Sequence, residues 1–94
     1  MSEKSNRIIV TVLGQDRTGI IAETSRALAD AGVNIVDISQ TVLGEFFVMI
    51  MLADMSHARV GLGELKTQLS AKAGQLGLQI NAQHEDVFKF MHRV

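Results

Sequence analysis

The stretch "LGQDRTGIIAE", Leu13–Glu23, decides how this chain is read. It opens on the last residue of an apolar run and closes inside a helical pattern. Between them stand Gly14 and Gly19, the opposite charges Asp16 and Arg17, and Thr18. Upstream, Arg7–Leu13 is short, apolar and rich in β-branched residues, the mark of a strand. Downstream, Ile20, Ile21, Ala27, Leu28 and Ala31, with Thr24 on the same stripe, recur at the spacing of one helical face. Gly32 stands where a left-handed glycine closes a helix. The quoted stretch is therefore a strand-to-helix turn.

The pattern then continues outward. Val33–Leu43 is a second strand, Gly44–Glu45 a tight turn, and Phe46–Ala53 a third strand. Leu62, Leu65, Leu69, Ala73 and Leu76 share one helical face that Gly77 closes. Gly61, Gly63 and Gly74 weaken that helix locally. Leu78–Gln83 is a fourth strand. Val87, Phe88, Met91 and Val94 then mark a short terminal helix, with acids leading and bases trailing as the helix dipole prefers. Right-handed crossovers place both long helices on one face of a four-stranded antiparallel sheet. The expected fold is thus α+β, a ferredoxin-like βαββαβ sandwich plus a short C-terminal helix. It forms one domain over residues 1–94, with its core in 7–84 and the last helix at about 85–94.

This plan leaves one sheet face without helices, and such strands should alternate apolar and polar. Phe46–Ala53 contains no polar residue, and the first strand is interrupted only by Thr11. Something must cover the second face: the terminal helix, through its Phe88–Met91 stripe, or another copy of the chain. A bare face of this size exceeds the apolar patch a monomer normally shows, so a homodimer is expected.

Composition narrows the function. The chain has 94 residues, 47% hydrophobic and 20% charged, and a net charge of −1. That is globular, with no basic footprint for nucleic acid. Cysteine is absent, which excludes thiol catalysis and thiolate metal sites. No apolar run is long enough to span a membrane, and "MSEKSN" has no apolar segment behind it, so a cytoplasmic protein is expected.

The turn itself is not a phosphate loop. Gly14 and Gly19 have that spacing, but Ile20-Ile21 stand where lysine and serine or threonine belong. The dinucleotide pattern G-x-G-x-x-G is absent as well. What remains is a strand end followed by a helix start with free backbone N–H groups. Asp16 or Thr18 is the candidate cap, and Gly19 admits close approach to the backbone. Asn34, opening the second strand, is expected at the same sheet edge. Together these make a small polar site suited to a zwitterion such as an amino acid; a plain capped helix start is the simpler account of the same residues.

The segment "GQDRTGIIAETSRALADAGVNIVDISQ" resembles the opening of an ACT domain, through Asp16-Arg17-Thr18-Gly19, then Ile20-Ile21, then Gly32-Val33-Asn34-Ile35. The resemblance extends over residues 7 to 84. The ending "DVFKFMHRV" is similar to a group of short stand-alone ACT proteins. The resemblance implies binding of amino acids or similar small molecules at an interface between two ACT domains. It assigns ligand contact to Gly14, Gln15, Asp16, Arg17, Thr18, Gly19, Ile20, Asn34 and Ile35. Thr18 departs from the family's usual proline, and Gly14 stands where serine-sensing members carry histidine. Output then passes to a partner enzyme or regulator, since no effector domain accompanies the module.

Competing uses of the same plan fit less well. Metal chaperones need a cysteine pair after the first strand. RNA-recognition domains need exposed strand aromatics, whereas adjacent Phe46 and Phe47 point to opposite faces. His57, His84 and His92 are the only imidazoles, and no ligand triad converges in sequence, so no metal and no cofactor is expected. No nucleophile has a base beside it, and an enzyme is not expected.

Overall fold

The computed structural model describes residues 6–91, with side chains as far as Phe88. The elements run β1 (Arg7–Gln15), α1 (Ile20–Asp30), β2 (Asn34–Leu43), β3 (Phe46–Asp54), α2 (Leu62–Leu76), β4 (Gln79–His84) and α3 (Glu85–Met91). The sheet order is β2-β3-β1-β4, with every neighbouring pair antiparallel. This is the ferredoxin-like plan. The Val94 end of the expected terminal stripe and His92 lie outside the described residues, as does the side chain of Met91.

The strands differ from expectation at their ends. β1 runs on to Gln15, because Gly14 and Gln15 pair with Phe47 and Phe46 just after the hairpin. The Asp16 N–H then donates to the Glu45 carbonyl at 2.8 Å, so the turn proper begins only at Asp16. In the β2–β3 hairpin only Gly44 of the two turn residues has positive φ, 62°, the pattern of a II′ turn.

The core lies between the helices and one sheet face. Ile8, Val10 and Val12 of β1 and Phe47, Met49, Met51 and Ala53 of β3 are buried there. They meet Ile20 and Leu28 of α1 and Leu65 and Leu69 of α2. Period-two alternation in the strands and the 3.6-residue stripe of the helices converge on one set of residues. Both long helices close on glycines in the left-handed region, Gly32 (φ 80°) and Gly77 (φ 70°). In each case the next residue donates back into the last turn, Val33 to Leu28 and Leu78 to Ala73, both at 2.9 Å.

Thr24 breaks the pattern. It is fully buried on α1, and its hydroxyl has no hydrogen-bond partner among the described residues. An unpaired buried hydroxyl costs about 1–3 kcal/mol. Thr24→Val keeps the shape and removes that cost. It is expected to leave stability unchanged or to raise it by about 1 kcal/mol, read from urea unfolding midpoints at constant m-value. A clear loss would mean that the hydroxyl has a partner.

The opposite sheet face stays open. Leu13, Phe46 and Ile50 on it are 45%, 49% and 48% exposed. Among the described residues, α3 packs only against β1 and β4, so it does not cover the outer face of β3. Arg7 and Glu85 join this helix to the sheet at 3.0 Å, with Glu85 buried. The strand β2 is an exposed edge of 10 residues carrying Val36, Ile38, Val42 and Leu43 at the surface.

Candidate functional site

The turn between β1 and α1 presents an uncapped helix start. The N-cap residue is Gly19, at φ 94°, and no side chain bonds the helix N-terminus. Neither Asp16 nor Thr18 caps it, contrary to the expectation. The left-handed Gly19 swings the chain so that the residue entering the helix has no side chain to reach back. No side chain accepts from the first N–H groups of α1. Such N–H groups carry the positive end of the helix dipole and suit a carboxylate.

The residues assigned to this site separate into distinct roles. Asp16 and Thr18 are exposed in the turn, and Gln15 is exposed at the end of β1. Ile20 is buried in the core, so only its backbone faces the turn. Gly14 lies on the helix-covered face, and a Cβ there would meet Leu78 Cδ2 at 2.4 Å. The Leu78 side chain thus fills the space a larger residue at 14 would need. At this end of the sheet an open hollow of about 520 Å3 is lined by Leu13, Gly14, Gln15, Phe46, Leu78 and Gln79, among others. It is wide enough for a small molecule. The glycine inside the first strand was its only sequence signal, since an internal strand glycine marks close approach of another group.

Arg17 is already engaged. Its guanidinium donates to the Leu76 carbonyl at 3.0 Å. The last turn of α2 has no basic residue of its own, and Arg17 supplies that charge from another element. Arg17→Ala is expected to cost about 0.5–1 kcal/mol with no ligand present, seen as a midpoint drop of a few degrees. An unchanged midpoint would free Arg17 for ligand alone.

Asn34 is not at this edge. β1 and β2 flank the α1 crossover and run parallel to each other, each antiparallel to β3. Asn34 therefore pairs with Asp54, which also pairs with Arg7, while Gln15 and Leu43 pair with Phe46 at the other end. Eight steps of β3 separate the ends, about 26 Å at the usual rise per residue. Ile35 follows Asn34 at this far end, partly buried against the core. One chain does not bring the turn and Asn34 together.

At the Asn34 end, a second cleft of about 550 Å3 is lined by Ala29, Gly32, Val33, Asn34, Asp54 and His57. Asp54 Oδ1 accepts from the Ser56 hydroxyl at 2.6 Å and from the Ser56 N–H at 2.8 Å. The hydroxyl bond, then the N–H bond, hold the Asp54 carboxyl below its ordinary 3.8, with smaller pulls from His57 and Arg7. Sequence reasoning did not single out Asp54 or Ser56. The signal was "DMS", an aspartate bonding its own chain two residues on.

His84 serves its own helix start. Its Nδ1 accepts the Asp86 N–H at 3.1 Å, at the N-terminus of α3. No group of three or more His, Cys, Asp or Glu converges among the described residues. No helix among the described residues is long and apolar enough to cross a membrane.

Comparison with known proteins adds to this geometry. The ACT domain family profile matches residues 6–83. A UPF0237 protein of Methanocaldococcus jannaschii is 51% identical over 89 residues, covering 95% of this chain and 99% of its own. A solved ACT domain protein from Streptococcus pneumoniae has 38% identity and a TM-score of 0.78, over 87% of this chain and 92% of that one. The regulatory subunit of aspartate kinase from Thermus thermophilus, in its ligand-free form, shares the fold at 21% identity. Its TM-score is 0.66, over 85% of this chain and 52% of that one.

Proposed function

The chain belongs to the ACT domain family, whose members are in general regulatory small-molecule-binding modules, and from that premise we propose that it senses an amino acid or similar small metabolite. The ligand's carboxylate is received by the turn from Asp16 to Ile20, and the result is passed to a partner protein. The observation that carries this reading is the uncapped start of α1, where no side chain bonds the helix N-terminus and the space around Gly19 is open.

A second copy completes the site in this reading. β2 is a long edge without lysine or proline, the usual guards against pairing. Two such edges joined antiparallel about a two-fold axis set the start of one β2 beside the end of the other. The Asn34 end of one copy then faces the turn end of its mate, which a single chain cannot achieve. We place this sensing in the cytoplasm, on the sequence pattern alone.

The test is thermal unfolding at fixed protein concentration against each of the standard amino acids singly. A ligand at 100 times its Kd adds about 2.7 kcal/mol, a shift of several degrees for a chain of this size. Asp16→Ala and Asn34→Ala are expected to weaken a selective shift, and Ile38→Lys on the β2 edge to abolish dimers in sedimentation equilibrium. No shift from any amino acid would leave the turn as a bare helix start. The open outer face, with Leu13, Phe46 and Ile50 half exposed, then favours an assembly module that binds protein without a small ligand.

A further inference from the structure

The sheet has a second free edge. Its order β2-β3-β1-β4 puts β4 at the margin opposite β2, with β1 on one side and, among the described residues, no strand on the other. In an antiparallel pair every other residue turns both its N–H and its C=O away from its partner. β4 therefore shows a row of unpaired backbone groups along Gln79–His84, and none of these residues is lysine or proline, the usual guards of an edge. Beside the edge runs a groove of about 250 Å3, lined by Lys66, Leu69 and Ser70 of α2 and by Ile80, Asn81, Ala82 and Gln83 of β4. Ile80 and Ala82 pair with Val12 and Val10, which are buried under the helices, so their side chains turn to the helix face as well. Ala82 and Ser70 are small, and they leave room between the strand and α2.

The groove carries one charge. Lys66 is its only ionisable lining residue, and no hydrogen bond or ion pair holds it among the described residues. The acids closest in chain are turned to other groups: Glu64 to Gln68, Glu85 to Arg7, and Asp86 to His84. Lys72, further along α2, is paired with Glu23 of α1. Among the described residues no part of α3 lines the groove. An extended chain laid along β4 takes up the free backbone groups and sends every second side chain into the groove. A carboxylate in that row meets Lys66. We propose that the β4 edge binds an extended, acidic segment of a partner protein by strand addition, with Lys66 as the counter-ion. This gives the chemistry of the partner to which sensing is passed; it rests on the proposed function for the purpose of the contact and on β4 and α2 alone for the contact itself.

The experiment is a titration of the full chain, followed by amide 1H–15N correlation spectra, with a terminally blocked peptide, Val-Thr-Val-Thr-Glu-Thr, whose valines and glutamate share one face. Three further peptides serve as controls. One has lysine for the glutamate, and two are N-methylated at every second residue, in either phase. Saturable shifts at Ile80–Gln83, Lys66 and Ser70 are expected with the acidic peptide, and one N-methylated form is expected not to bind. The lysine peptide is expected to bind about fivefold more weakly at low salt, with the difference shrinking as salt rises. Lys66→Glu is expected to reverse that preference, and Ser70→Phe, at an exposed helix position, to fill the groove and abolish binding. The same spectra show that both variants fold. Unshifted β4 amides, equal binding of all four peptides, or an unchanged preference in Lys66→Glu would each overturn the proposal. So would β4 shifts that follow protein concentration without peptide, which would make a second copy the occupant. Failure of the sensing reading shows separately, as unmoved Arg17–Ala22 amides with every amino acid while the peptide still binds β4.

Discussion

Gly32→Ala is expected to lower stability by about 2–4 kcal/mol, and the melting temperature by about 8 °C or more. Two independent costs meet at this residue. Its φ is 80°, where an L side chain is strained by about 1–2 kcal/mol. A Cβ there would also lie 2.7 Å from the His57 carbonyl, and that carbonyl is backbone, with no rotamer to escape through. The Arg59 N–H bond to the Ala31 carbonyl at 2.8 Å holds the two segments together just there, so relief requires separating them. Gly19→Ala is the control. Its φ is 94°, yet nothing lies within 4 Å of the added carbon, so only the strain applies. Thermal unfolding of the two variants side by side checks this. Equal losses would show that the close approach of the α1 end to the β3–α2 connection is not rigid.

Met49→Ala is expected to cost about 2–5 kcal/mol, as a fully buried large side chain does, and Ile50→Ala less than about 1 kcal/mol in dilute monomer. The two are neighbours on β3 and point to opposite faces. Met49 is 0% exposed against the helices, whereas Ile50 is 48% exposed on the open face. Denaturant unfolding at two protein concentrations measures both and adds a second reading. If another copy covers the outer face, the cost of Ile50→Ala grows as concentration rises, because association couples to folding by mass action. The cost of Met49→Ala is set within the chain and grows less steeply. Equal costs at low concentration would overturn the one-sided core.

The legible part of this molecule was its local chemistry. The β-branched run before Gly14 and the Ile20–Ala31 stripe were enough to place β1 and α1. Gly32 and Gly77 close their helices as expected, because a left-handed helix end is a local steric demand that glycine meets without help from distant residues. The phenylalanine pair also read correctly in part: Phe47 is buried and Phe46 is not. The candidate site was less legible. The helix cap went to Gly19 rather than Asp16 or Thr18, since a capping bond depends on backbone angles that composition does not dictate. Asn34 lies at the far end of the sheet, as the expected crossover already required: a strand–helix–strand crossover makes β1 and β2 parallel, so the start of β2 is opposite the end of β1. Asp54 and Ser56 escaped attention because each looks ordinary until the fold sets Asn34 beside them.

By itself the sequence determined the element order, the core-facing residues and the family, since period and turn chemistry act over a few residues at a time. Only the tertiary structure decided what lies next to what: Arg17 on the end of α2, Leu78 over Gly14, and Asn34 with Asp54 and His57 in a cleft far from the turn. Those neighbours meet across 20 to 64 positions of chain, and their contact follows from how the sheet and helices pack together, which no local pattern encodes.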